Sequence, residues 1–189
     1  VAPITVNRVA LESSLADVTD ATYLAGSTAE VNAKTETIAG TMTVDDPVLA
    51  TTGDAQLAAN GTDSDLDINA TVTSGQHTTI LARRDILQSG NVTAGGTIDA
   101  EAFTGSILMD PNAVSDADDD NIRYTAAVDV ELGILDAGLA DVGIIADTGD
   151  IRWYEPSPDV CNGRDFCHPG ISQAITAVNA SPSTSDAAP

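Results

Sequence analysis

Aliphatic residues recur six apart at Ile80, Ile86, Val92 and Ile98, and the same phase returns at Ile122, Val128 and Ile134. Between them stand Gly, Asn, Asp and Thr, residues that let a chain turn after each short strand. A chain of this kind buries its apolar side by winding around itself, each coil covered by the next. The six-residue period suggests a left-handed hexapeptide helix, but the phase breaks at Thr104, Asp110 and Asp116.

A longer period fits better. Asn121–Ala126 matches Asp141–Ala146 at an offset of 20, and Asp129–Leu132 matches Asp150–Trp153 at an offset of 21. Asp85-Ile86-Leu87 matches Ser106-Ile107-Leu108, again 21 apart. A coil of that length holds three strands and three turns. Alternation predicts Ile122, Tyr124, Ala126, Val128, Val130 and Leu132 facing in, with Arg123, Thr125, Asp129 and Glu131 facing out. The expected fold is all-β: a right-handed parallel β-helix (β-solenoid) over residues 35–153. Residues 1–34 are expected to form a cap or first coil, with Ile4-Thr5-Val6 as a strand or Val9, Leu11, Leu15 and Val18 as a short helix. Residues 154–189 are expected to be a short non-solenoid segment. There Glu155-Pro-Ser-Pro158 ends the ladder, Ile171, Ala174, Ile175 and Val178 are spaced for a short helix, and the last residues form a polar tail.

Composition narrows function more than it defines it. Aromatics make up 3% of the 189 residues, so Val, Ile, Leu and Ala must build the core. Asp outnumbers Glu by 23 to 6, and the net charge is −22. That sign opposes nucleic-acid binding, which needs cationic side chains against phosphate, and docking on an anionic membrane surface. No run is long and apolar enough to span a bilayer. Val1-Ala2-Pro3 reads as a mature N-terminus or a cut within a longer chain. Asn-x-Ser/Thr triplets begin at Asn60, Asn69, Asn91 and Asn179, and are glycan acceptors only in a host with that machinery.

Three groups merit a chemical reading. Asp116, Asp118, Asp119 and Asp120 could offer hard oxygen ligands to calcium, the one cofactor the sequence suggests. They lack the spacing of a calcium β-roll or an EF-hand, and also read as a solvated turn. Cys161 and Cys167 have five residues between them, and His168 follows directly. The pair reads as a local disulfide in an oxidising, extracytoplasmic setting, since three candidate ligands at this spacing match no zinc finger. His77 would be the base of a hexapeptide-type acyltransferase, but its neighbours Gln76 and Thr78 supply no orienting carboxylate. No catalytic residue is assigned. Polysaccharide cleavage, the other chemistry natural to such a fold, needs clustered carboxylates, basic groups and aromatic platforms. The core region carries Arg83, Arg84, Arg123 and Arg152 and few aromatics.

The runs Arg84–Ile98, Gly105–Asp110, Asn121–Ala126 and Gly133–Gly138 resemble the repeats of filamentous-haemagglutinin-type proteins, very large bacterial surface or secreted β-helices. The resemblance covers about residues 80–153. It implies secretion to the cell surface or beyond and a structural or adhesive role, and brings no catalytic residues. Expected partners are further copies joined head to tail, or continuation in a longer chain, and host or matrix glycans. The alternative is a polysaccharide-binding or polysaccharide-cleaving β-helix.

Overall fold

The computed structural model describes residues 4–9, 26–153 and 176–178. The first three coils comprise β1 Ser27–Ala29, β2 Ala33–Thr37 and β3 Met42–Val44; β4 Val48–Ala50, β5 Ala55–Ala59 and β6 Leu66–Ile68; β7 Val72–Ser74, β8 Thr78–Ala82 and β9 Ile86–Gln88. The next three comprise β10 Val92–Ala94, β11 Ile98–Ala102 and β12 Ile107–Met109; β13 Val114–Asp116, β14 Ile122–Ala126 and β15 Val130–Leu132; β16 Ile134–Asp136, β17 Val142–Ala146 and β18 Ile151–Trp153. A last strand, β19, is Thr176–Val178. All pairing is parallel, and every third strand joins the same sheet. The chain is a three-sheet parallel β-solenoid of six coils, with no helix among the described residues. We call the sheets A (β1 to β16), B (β2 to β17, extended by β19) and C (β3 to β18).

The six-residue period has a simple cause. Ile80, Ile86, Val92 and Ile98 lie in sheets B, C, A and B in turn, one inward aliphatic per sheet, and all four are fully buried. The three repeat offsets are the observed registers. Ile122 pairs with Val142, Val130 with Ile151 and Ile86 with Ile107. Leu66, Ile86, Ile107, Val130 and Ile151 thus stack as one column down sheet C. Each such side chain contributes about 1.5–3 kcal/mol by leaving water.

Not every coil keeps the short period. Ile98 pairs back with Thr78 but forward with Ile122, a step of 24 residues instead of 20. The extra residues sit in three turns, Phe103–Ser106 before β12, Asp110–Ala113 before β13 and Ala117–Asn121 after it. These insertions break the phase at Thr104, Asp110 and Asp116. Two expected core positions also fall outside the core, at the corners that follow β14 and β15. Val128 lies on the corner beyond β14 and Ile134 faces outward beside buried Leu135, each 37% exposed. A one-residue slip reverses the face that a strand residue occupies.

The solenoid begins at Ser27, within the segment read as cap or first coil. Ile4–Val9 form no regular element; the rest of the proposed N-terminal helix lies outside the described residues. At the other end the helical spacing of Ile171–Val178 misleads, because Thr176–Val178 pair with Gly143–Ile145 as a strand. The open edge of a parallel sheet offers unpaired N–H and C=O groups that favour this pairing over an isolated helical turn. The remainder of that segment lies outside the described residues.

The corners explain the acidic composition. Immediately before each sheet-C strand from β6 to β15 stands a short polar residue whose side chain accepts the backbone N–H of its counterpart one coil on. Asp65 Oδ1 accepts from Asp85 N at 3.1 Å, Asp85 Oδ1 from Ser106 N at 2.8 Å, Ser106 Oγ from Asp129 N at 3.2 Å, and Asp129 Oδ1 from Asp150 N at 2.8 Å. A second column precedes sheet B. Asn32 accepts from Asp54 N, Asp54 from His77 N, His77 Nδ1 from Thr97 N, and Asn121 from Asp141 N, at 2.9–3.0 Å. These bonds satisfy corner amides that lie outside the sheet ladders. Close stacking constrains the corners in another way: at Gly90 a Cβ would collide with the carbonyl of Ala70.

Candidate binding surface on sheet B

The outward residues of sheet B form a row in register: Gln56, Thr79, Asp99, Arg123 and Gly143 on successive strands. Such positions normally face water, yet Gln56, Thr79 and Asp99 are buried. Over part of this row the reason is the N-terminal arm. Ile4–Val9 run across the coils, from β17 down to β8. Ile4 rests on Gly143, where a Cβ would come within 2.8 Å of its terminal methyl. Asn121 Nδ2 donates to the carbonyl of Thr5 at 2.7 Å. Asn7 N donates to Thr97 Oγ1 and Val9 N to Thr79 Oγ1, both at 2.9 Å.

Between these contacts lies the strongest charge arrangement in the described chain. The Asp99 carboxylate, with no solvent exposure, accepts Nε and Nη2 of Arg123 at 2.9 Å each and Nε of Arg8 at 2.6 Å. Arg8 also pairs with Glu101. A carboxylate is stable here because three charge-assisted hydrogen bonds replace its hydration. The Arg8 and Arg123 side chains keep 37% and 30% of their surface in solvent.

His77 adjoins this row. Thr97 N–H is a fixed donor to Nδ1, so the proton of the neutral ring sits on Nε2; the Asn7 carboxamide, 3.1 Å away, accepts that proton only when its oxygen is turned toward the ring. Nδ1 is held by a corner column, and Nε2 faces the arm.

The calcium candidates behave as corner residues. Asp116 Oδ1 accepts from Asp118 N, Asp119 Oδ1 from Leu139 N, and Asp120 Oδ1 from Asn121 N, at 2.8–3.1 Å. Asp118 and Asp119 adopt φ of +43° and +67°, which makes room for the inserted residue in this turn. Among the described residues no three His, Cys, Asp or Glu side chains are grouped to hold a metal ion. Cys161 and Cys167 lie outside the described residues.

Inside the solenoid, Gln88, Ser115 and Tyr124 form a closed buried triangle. Tyr124 OH donates to Gln88 Oε1 at 2.8 Å, Gln88 Nε2 to Ser115 Oγ at 2.9 Å, and the two hydroxyls lie 2.7 Å apart. Burial pushes the Tyr124 phenol well above its ordinary range, against the pull of both partners. The hydroxyl therefore stays protonated, as a structural donor.

Fold and surface define a class: a parallel β-solenoid with Asp/Asn-stacked corners and an arm laid across one sheet. No family model, curated protein or solved structure matches the chain.

Proposed function

We propose that the chain is a structural or adhesive segment of an extracellular β-solenoid protein, working through its surfaces and ends. The observation that carries this reading is the state of the ends. Among the described residues β1, β2 and β3 have no strand before them, and β16 and β18 have none after them. Each is an edge with unpaired main-chain groups and an apolar interior behind it, which further coils or a second copy would cover. Two supports accompany it. The repeats of residues 80–153 resemble those of filamentous-haemagglutinin-type surface proteins. The carboxylates of Asp65, Asp99, Glu101 and Glu131 pair with arginines instead of facing one another across a cleft.

Light scattering over a wide concentration range, with electron microscopy of the same samples, tests the self-association. Assembly into rods supports the reading. A monomer at every concentration, with no filaments, removes the self-association. Saturable binding on a glycan array, or release of reducing ends from a polysaccharide, would support the polysaccharide alternative instead.

A further inference from the structure

The contacts of the arm form a recognition pattern. Thr5, Asn7 and Val9, alternate residues of an extended segment, are held through their main chains by Asn121, Thr97 and Thr79, which belong to three successive coils. The intervening Arg8 is read by two carboxylates, one fully buried. Ile4 lies flat on the sheet because Gly143 leaves it room. Backbone bonds supply affinity and a charged slot supplies selectivity, the division of labour seen when an extended peptide docks on a sheet.

Every one of these bonds joins residues 70 to 116 positions apart. The seat therefore recognises the segment itself, whichever chain it belongs to. Sixteen residues, 10–25, separate Val9 from Gly26. A chain of that length can reach about 50 Å when extended, against a six-coil stack about 25–30 Å long. An arm on such a tether can reach a neighbouring molecule.

We propose that the outer face of sheet B from Thr79 to Gly143 is a docking groove for an extended, arginine-bearing segment, and that Ile4–Val9 of a second copy occupies it in trans. Exchange of identical elements is a low-cost route to association, since each copy regains the contacts it gave up. This deepens the self-association reading. It uses a lateral face, so failure of the groove leaves end-to-end joining untouched, and failure of end joining leaves the groove intact.

The test uses full-length chain and a fluorescent peptide with the sequence of residues 4–9. Arg8→Ala weakens the resident arm and frees the seat while Arg123 still balances Asp99; Asn7→Ala is a second, independent way to weaken it. Saturable binding to either variant is expected. If the arm leaves the seat open about one-tenth of the time in the parent, binding there is about tenfold weaker. Adding Glu101→Arg to either variant abolishes binding, and replacing the arginine of the peptide by alanine weakens it about fivefold. No saturable binding to Arg8→Ala or Asn7→Ala at millimolar peptide, or indifference to Glu101→Arg, overturns the groove. For the exchange, Arg8→Ala chain (intact seat) is mixed with Glu101→Arg chain (intact arm) and examined by native mass spectrometry. A 1:1 mixed complex, absent from either variant alone, is expected. Its absence overturns docking in trans, even where the peptide binds.

Discussion

Asp99 is the residue whose replacement tests the sheet-B surface most severely. Asp99→Asn keeps the shape of the side chain and removes its charge. The carboxylate accepts three guanidinium N–H bonds, from Arg123 twice and Arg8 once. A carboxamide has one acceptor oxygen and turns an NH2 toward the guanidiniums, so at least one contact becomes donor against donor. Charge-assisted bonds contribute about 1.5–3 kcal/mol each, but the substitution also ends the desolvation cost of a fully buried carboxylate. The two arginines, about a third exposed, recover hydration when released. The expected net loss is about 2 kcal/mol, below the roughly 3–5 kcal/mol of stranding a buried charge. Arg8→Ala should cost about 1 kcal/mol or less, since the Arg123 fork still balances Asp99. The two changes share a contact, so the double variant should lose less than their sum by about 0.5–1 kcal/mol. Urea unfolding followed by far-UV circular dichroism measures all three, and a constant m-value shows that the coils still unfold as one unit. A loss below about 0.5 kcal/mol for Asp99→Asn, or strict additivity with Arg8→Ala, would refute the reasoning.

Tyr124→Phe leaves Gln88 Oε1 without its donor inside the core and should cost about 1–3 kcal/mol; replacing Gln88, Ser115 and Tyr124 together by Leu, Ala and Phe should cost less than the sum of the single changes in the same urea experiment. Asp67 and Asp65, two residues apart, should respond to pH with opposite signs. Burial, then the charges of Asp65 and Asp45, push the Asp67 carboxyl up, so its ionised form weighs against the fold once pH has risen through the folded value. Asp67→Asn should therefore stabilise the chain at pH 7 by about 0.2–1 kcal/mol after solvent screening, with the gain gone below about pH 4. The hydrogen bond from Arg84 holds the Asp65 carboxyl below its ordinary range, outweighing burial, so its contribution is present at neutral pH and lost as pH falls through that depressed value. Asp65→Asn should destabilise at pH 7, and thermal melts of both variants from pH 3 to pH 8 check the pair. Calcium at a few millimolar should move the melting midpoint no further than magnesium at equal ionic strength, because three of the four loop carboxylates are held by backbone N–H groups; a calcium-specific rise would restore the metal reading.

What could be read in advance followed how locally each feature is encoded. The inward series Ile80, Ile86, Val92, Ile98 around one coil and the registers at 20 and 21 are carried by residue identity at fixed spacing, and they survive intact. Val128 and Ile134 mislead because alternation fixes which residues share a face but not where a corner reverses it. The Asp columns were within reach. Asp85-Ile86, Asp129-Val130, Asp141-Val142 and Asp150-Ile151 each set an acid just before a strand, at the spacing that defines the coil. Read as charge they suggest solvation or metal; read as position, Asp85 and Asp129 accept the amide one coil on, and Asp141 and Asp150 donate their own amides to the coil before. The arm carries no comparable signal. Arg8 and Asp99 are 91 residues apart, and nothing around either marks the other. A repeat in sequence can announce the scaffold and even its corner chemistry, because each coil presents the same geometric problem to the next. A contact made once, by a segment outside the repeat, has no second instance in the chain against which to recognise it, and here the proposed docking surface consists of such contacts.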